Sequence, residues 1–240
     1  MKNYLKPCQY SIRLVEKLNS LDLKKDLDFE LVDKAIYWAK KYHNGQFRKS
    51  GEPFYSHPLE VAYIVSDHLL HTNAIVASIL HDIVEDTEVT IGMILDEFGW
   101  RIAEIVDRLT RDRPDGTKLS VEEILHNAYE QNDKEVLLIK CFDRLHNMET
   151  LSVKNKDKQI KESHETFDFF ITYAISIESK YLEQVLYDVC CKYLSIPISH
   201  NQLNAFNKDE SYLNSLENYD THQLVSQVFQ SVTDQSKMLV

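Results

Sequence analysis

The sequence predicts an all-α protein, and three observations carry the prediction. Glycine and proline are scarce, with 5 of each in 240 residues. The chain therefore lacks the punctuating turns that an all-β protein of this length requires. Apolar residues recur at spacings of three and four through most of its length. Residues that start and stop helices stand at the ends of those periodic stretches. Hydrophobic residues make up 43% and aromatics 10%, enough for one sizeable core.

Residues 1–26 are mixed and polar, with one short amphipathic stretch at Ile12, Leu14, Val15 and Leu18. They read as an N-terminal segment. From residue 27 the pattern turns helical, with Leu31, Ala35, Trp38, Ala39 and Tyr42 on one face. Residues 43–53 form a loop by their Gly45, Gly51 and Pro53. His57-Pro58 opens the next helix, because proline suits the first helical position. Leu59, Ala62, Tyr63, Val65 and Leu69 give that helix its apolar side. Thr72-Asn73 caps a following helix that runs through Ala74–Leu80 into His81-Asp82. Thr90 caps another, which Gly99 ends, and Ser120 with Glu123 forms a capping box. A helix from about Asp133 carries Val136, Leu137, Ile139, Lys140, Asp143 and Leu145. Two further helical stretches cover about 160–177 and 178–194, and Pro197 closes the pattern. The expected organisation is one domain over 27–197, followed by a polar tail over 198–240 with room for short helices.

The formal net charge is −11 and the pI about 5.4. That balance argues against non-specific binding to nucleic acid or an anionic membrane. An anionic small molecule stays open, because a local basic cluster or a metal reverses the field at one site. Cys8, Cys141, Cys190 and Cys191 form no C-x-x-C pair, so they read as free thiols of a reducing compartment. The N-terminus has no apolar signal region, and the apolar stretch at 74–80 is too short to span a membrane. The expectation is a cytoplasmic protein. Its oligomeric state is not legible.

The chemistry gathers in His57, His81, Asp82 and Asp143. His81-Asp82 ends an apolar run and is followed by Glu85 and Asp86. Ionisable groups at the edge of a core cost free energy unless paired or metal-bound. Positions 81 and 85 share one side of a helix, as do 82 and 86. One helix is thus expected to present a ligand pair and, a turn later, two carboxylates. Mixed imidazole and carboxylate ligation without thiolate suits Mn, Fe, Co or Zn in a catalytic role. Taken singly, His57 reads as a capping or surface histidine and Asp143 as the partner of Arg144. The joint pattern is what points to a metal.

Three ordered blocks carry a family resemblance: residues 48–58 (Arg48 to Pro58), residues 80–87 (Leu80 to Thr87) and residues 143–151 (Asp143 to Leu151). Over about 27–197 the chain resembles the His-Asp (HD) superfamily of metal-dependent phosphohydrolases. Within it, the chain closely resembles the hydrolase domain of the Rel/Spo alarmone enzymes, which remove pyrophosphate from the 3′ position of ppGpp and pppGpp. The resemblance implies an HD-domain helical bundle in which His57, His81, Asp82 and Asp143 bind one Mn(II). It implies that Glu85 and Asp86 activate or orient the attacking water. Arg48 would lie against guanine with Lys49 and Ser50 beside it, Asn147 would contact the nucleotide, and Thr150 would line the pocket. The implied partner is a guanosine nucleotide, and the implied products are GDP or GTP plus pyrophosphate. Action on another 3′-phosphorylated nucleotide, or nucleotide binding without turnover, are the competing readings.

The chain departs from the family pattern twice. Glu149 stands where the family usually has a basic residue. Only about 43 residues follow Pro197, too few for the synthetase domain of the long enzymes, so a hydrolase-only form is expected. Arg111, Arg113 and Lys118 lie in a turn-rich segment that either reaches phosphates or is a solvated loop.

Overall fold

The computed structural model describes Tyr4 and residues 6–194. The expected tail over 198–240 lies outside the described residues. Helices α1 (Gln9–Leu21), α2 (Phe29–Tyr42), α3 (Ser56–Val65), α4 (Thr72–Leu80), α5 (Ile83–Asp86), α6 (Ile91–Phe98) and α7 (Trp100–Leu109) are followed by α8 (Val121–Glu130) and α9 (Lys134–Glu149). Then come α10 (Lys156–Glu165), a π-helical stretch at 166–171, α11 (Thr172–Ser176) and α12 (Lys180–Leu194). Among the described residues the only β pairing is two isolated bridges, Phe47 with Pro53 and Asp112 with Lys118. The fold is all-α, as the composition and spacing predict.

The described residues divide into two compact units, the first ending at His146 and the second beginning at Asn147. The boundary falls inside α9, where no turn residue signals it. The first unit is built around α4. Every residue from Ala74 to Leu80 is buried, because a helix that is apolar on all sides must be covered on all sides. Helices α2, α3 and α7 pack around it. In the second unit, α10 and α12 pack with the π-helical stretch. Phe167, Phe170, Ile171, Leu182, Leu186 and Cys190 are buried there.

The caps follow the sequence in three places and depart from it in one. Thr90 accepts from the Met93 amide at 3.3 Å, and Gly99 ends α6 at φ +83, a left-handed conformation that favours glycine. Ser120 and Glu123 form the capping box. At α4, however, the cap is His71, whose Nδ1 accepts from the Ala74 amide at 3.4 Å. Thr72 Oγ1 instead accepts from the Asp28 amide at 2.9 Å, a tie between elements that local sequence does not reveal. Pro58 sits two residues inside α3, still in the first turn, where its missing N–H costs nothing.

Residues 9–21 are part of the first unit's core. Leu14 and Leu18 of α1 are fully buried, and α1 packs against α3. Arg13 pairs with Glu60, and Lys17 donates to the Tyr63 carbonyl at 2.7 Å and pairs with Asp67 at 2.6 Å. Leu18→Ala is expected to destabilise the protein by about 2–5 kcal/mol, the range for emptying a buried leucine site. Urea denaturation of the variant against the unmodified protein measures it. An unchanged midpoint would mean that α1 is an appendage.

Candidate metal centre

Three elements deliver the candidate ligands. The turn before α3 hydrogen-bonds the Ser56 amide to the Pro53 carbonyl (3.0 Å) and the His57 amide to the Phe54 carbonyl (3.1 Å), which places His57 at the helix start. His81 and Asp82 stand at the break between α4 and α5. Asp143 comes from the middle of α9. The expected continuous helix across residues 81–86 is therefore interrupted. Asp82 sits at φ −97, ψ −8, off the helical ideal, and His81 spends its Nδ1 on the Ser78 carbonyl at 2.8 Å.

The four side chains converge. His57 Nε2 lies 3.1 Å from Asp143 Oδ1 and 3.3 Å from Asp82 Oδ2. His81 Nε2 lies 3.1 Å from Asp82 Oδ1 and 3.6 Å from Asp143 Oδ1. One donor atom each from His57, His81 and Asp143 falls within 4.8 Å of the others, and these three residues are buried. Two buried imidazoles facing two carboxylates demand positive charge. Burial opposes ionisation of His81, yet Asp82 and Asp143 outweigh it and raise His81 to about 10. Burial likewise works against Asp143 as a carboxylate, but Lys140, His57 and His81 hold it well below the usual range. Asp82 is held low in the same way by His81 and His57.

The residues fit a divalent cation. With Nδ1 turned to the Ser78 carbonyl, His81 directs Nε2 at the Asp82 and Asp143 carboxylates, and a cation that replaces the Nε2 proton would take its lone pair. His57 has a corresponding support that the sequence reading missed. Its Nδ1 lies 2.8 Å from Nδ1 of His146. Burial first, then the charges of His57 and Arg48, push His146 down to about 3. A neutral His146 accepts from His57 Nδ1–H and leaves His57 Nε2 free as a ligand, the usual support behind a metal-bound imidazole. The signal was available, since His146 follows Asp143 by three residues on one helix face. Lys140, one turn earlier, reaches Asp143 Oδ2 at 3.3 Å.

The acidic pair differs in attachment. Glu85 Oε1 accepts from the Arg111 amide at 2.6 Å, which anchors it. Asp86 stays open to solvent at the rim. Desolvation by the groups crowding its carboxyl, then the negative charges of Asp82 and Glu85, push it up to about 6.

The loop between α2 and α3 is a tight hairpin. The Arg48 amide donates to the Glu52 carbonyl and the Gly51 amide to the Arg48 carbonyl, both at 2.9 Å. Gly51 at φ +95 makes the turn, a conformation that strains a residue with a Cβ. Arg48 is half-buried; burial lowers its pKa against the opposing charges of Asp82, Asp143 and Glu52, so its guanidinium belongs to the field of the cluster. Lys49 and Ser50 are exposed, and Ser50 donates to Glu52 at 2.5 Å. The other basic loop is satisfied locally. Arg111 donates to the Leu119 carbonyl at 3.0 Å, Arg113 pairs with Asp107 at 3.1 Å, and Lys118 pairs with Asp112 at 2.7 Å. Asn147 and Thr150 belong to the second unit, where the Thr150 hydroxyl donates to the Asn147 carbonyl at 3.3 Å. All four cysteines are thiols outside any disulfide, and burial pushes Cys141 up to about 12, which removes it as a nucleophile.

A model of the HD domain matches residues 35–174, a span that includes all four ligand candidates. The chain belongs to the HD domain family. The HD domain implies a divalent metal, in agreement with the donor set above. Among curated proteins, this HD protein is 34% identical over 187 residues to the GTP pyrophosphokinase rsh of Brucella ovis, covering 76% of this chain and 25% of that one. It is 34% identical over 177 residues to the GTP pyrophosphokinase of Myxococcus xanthus, covering 70% and 23%. It is 35% identical over 156 residues to the guanosine-3′,5′-bis(diphosphate) 3′-pyrophosphohydrolase of Haemophilus influenzae, covering 63% and 23%. The HD protein thus spans about a quarter of the length of the curated relatives it matches. Its resemblance to the Rel/Spo enzymes, read from the three blocks, holds. Among the described residues no helix is long and apolar enough to cross a membrane.

Proposed function

We propose that this HD protein is a Mn(II)-dependent 3′-pyrophosphohydrolase acting on guanosine 3′,5′-bis(diphosphate) and its 5′-triphosphate analogue. The observation that carries the reading is the convergence of His57, His81, Asp82 and Asp143, with the raised carboxyl of Asp86 beside it. The name of the Haemophilus influenzae relative supports the substrate class. We take the chain as a hydrolase acting in the cytoplasm.

His57, His81, Asp82 and Asp143 would hold the cation, with His146 and Ser78 fixing the two imidazoles. A divalent cation there withdraws charge from a phosphoryl oxygen and makes water acidic enough to react near neutral pH. Asp86, with an affinity for protons near neutrality, takes one proton from the attacking water. Glu85, anchored on the Arg111 amide, keeps α5 and the carboxyl of Asp86 in register. The water oxygen attacks the phosphorus attached to the 3′ oxygen, and the bond between that phosphorus and the 3′ oxygen breaks. A proton goes to the 3′ oxygen, leaving GDP or GTP and pyrophosphate. Positioning and charge stabilisation carry most of such a step. Arg48, Lys49, Ser50, Asn147 and Thr150 are proposed to bind the nucleotide.

The test is turnover of guanosine 3′,5′-bis(diphosphate) by metal-stripped protein reloaded with Mn(II), with pyrophosphate and orthophosphate measured separately. Pyrophosphate release that depends on the metal supports the reading. Orthophosphate release, or turnover only of another 3′-phosphorylated nucleotide, overturns the substrate assignment.

Arg48→Ala is expected to raise KM more than it lowers kcat, because a base contact equal in ground and transition states acts on KM alone. The loss should be about 1–2 kcal/mol, the order of a partly desolvated cation–π stack. Steady-state kinetics measure the split. A fall in kcat at constant KM would place Arg48 at the reaction centre, alongside Asp82 and Asp143, and not against the base.

A further inference from the structure

A fourth imidazole feels the charges of the cluster. His43 closes α2 and is 1% exposed. Its ring stacks on Phe54 with centroids 4.7 Å apart and planes 27° apart. Its Nδ1 stands 2.7 Å from Gln46 Oε1. The orientation of that amide is not free, because Gln46 Nε2 donates to the backbone carbonyl of Asp86 at 2.9 Å. Oε1 is therefore the acceptor, and His43 Nδ1 carries the proton. Burial lowers the pKa of the imidazole, so the ring is neutral and Nε2 is a bare lone pair. That atom is buried and has no hydrogen-bond partner.

Buried acceptors are rarely left unmet, because the desolvation cost is then uncompensated. The charged groups that act on this ring include Asp82, His81 and His57. With Nδ1 turned to Gln46 and one face on Phe54, Nε2 is the ring nitrogen left open to a further partner. A lone pair so placed takes either a cation or a hydrogen-bond donor. The donor atoms that gather within 4.8 Å belong to His57, His81 and Asp143, and His43 is not among them. A hydrogen-bond donor fits, and water is the donor small enough for a buried polar site.

We infer that His43 is a positioning residue of this site: its Nε2 accepts a hydrogen bond from a water at the edge of the His57–His81–Asp82–Asp143 cluster, and Gln46 ties that placement to the backbone of Asp86. The chain His43–Gln46–Asp86 thereby sets the water relative to the carboxyl that takes its proton. The inference rests on the hydrolase reading above and adds a residue to it.

His43→Asn tests it, because the carboxamide nitrogen retains a donor near the Nδ1 position while the Nε2 acceptor is lost. Binding of Mn(II) is followed by electron paramagnetic resonance of the free ion. Water-proton relaxation is measured at equal Mn(II) loading without substrate, and kcat, KM and thermal melting complete the set. Melting and Mn(II) affinity should match the unmodified protein, and relaxation should change. The kcat should fall by about 10-fold, the scale of one hydrogen bond, at unchanged KM. His43→Gln, which restores an acceptor, should recover part of the loss. Wild-type relaxation and kcat in His43→Asn overturn the inference and make His43 a core residue. A loss of Mn(II) affinity of about 10-fold or more also overturns it, since ligands and their direct supports behave that way. Should His43→Asn fail to fold, Gln46→Met at a half-exposed position reads the same chain, and wild-type values there overturn the inference equally. An unmodified protein that binds Mn(II) without turnover sinks the hydrolase reading, and the relaxation measurement then decides the role of His43 by itself.

Discussion

Asp82→Asn is expected to abolish hydrolysis and to weaken Mn(II) binding by well over 10-fold, since even residues one step behind a metal ligand carry about 10–100-fold in affinity. The geometry states why. Asp82 bridges the two imidazoles, at 3.3 Å from His57 Nε2 and 3.1 Å from His81 Nε2, so it is the carboxylate common to both. Replacing its charge by an amide removes one of the two negative charges that balance a dication, and it presents an N–H donor where the site needs lone pairs. Calorimetric titration with Mn(II) and a pyrophosphate-release assay measure the two effects together. Full activity of the variant after chelation and dialysis would remove Asp82 from the ligand set.

The double variant Glu85→Gln with Asp86→Asn is expected to retain Mn(II) and to turn over about 10²–10⁴-fold more slowly, the usual size of a general acid–base contribution. Retention of metal is the informative half. Both residues lie beyond the cluster on α5, and the Glu85 contact to the Arg111 amide survives in glutamine, whose Oε1 accepts the same hydrogen bond. The fold and the cage should therefore persist while the proton acceptor is lost. Asp86 is the more sensitive member, since its carboxyl is the one raised to about 6 and left open at the rim. The single variants separate the two, with Asp86→Asn expected to account for most of the loss. Metal lost in step with activity would make the pair ligands or structural groups.

Leu18 and His43 show what a sequence reading misses and why. Leu18 was legible as part of an amphipathic stretch, but its burial depends on α3, and nothing in residues 1–26 announces that partner. His43 sits in a glycine-containing loop, where a polar residue reads as solvated. Only packing against Phe54 and Gln46, and the arrival of the cluster from α3 and α4, makes it a buried acceptor. His146 was nearer to recognition, because it shares a face of α9 with Asp143.

Local chemistry determined much by itself. The scarcity of turn residues and the three-and-four spacing specify helices, because backbone hydrogen bonding and side-chain periodicity act over one or two turns. The caps at Thr90, Ser120 and Gly99 follow from the same short-range physics. The four candidate ligands stood out as a set because imidazole and carboxylate groups at the end of an apolar run, as at His81-Asp82, need compensation, and His57 and Asp143 joined them through the family resemblance. Tertiary structure alone decided the rest. It breaks the helix at His81-Asp82, anchors Glu85 to the loop after α7, sets His146 behind His57, and leaves Nε2 of His43 facing inward without a partner. Each of these depends on groups brought together from separate helices. Their distances, and with them proton affinities and tautomers, exist only once the buried faces have packed.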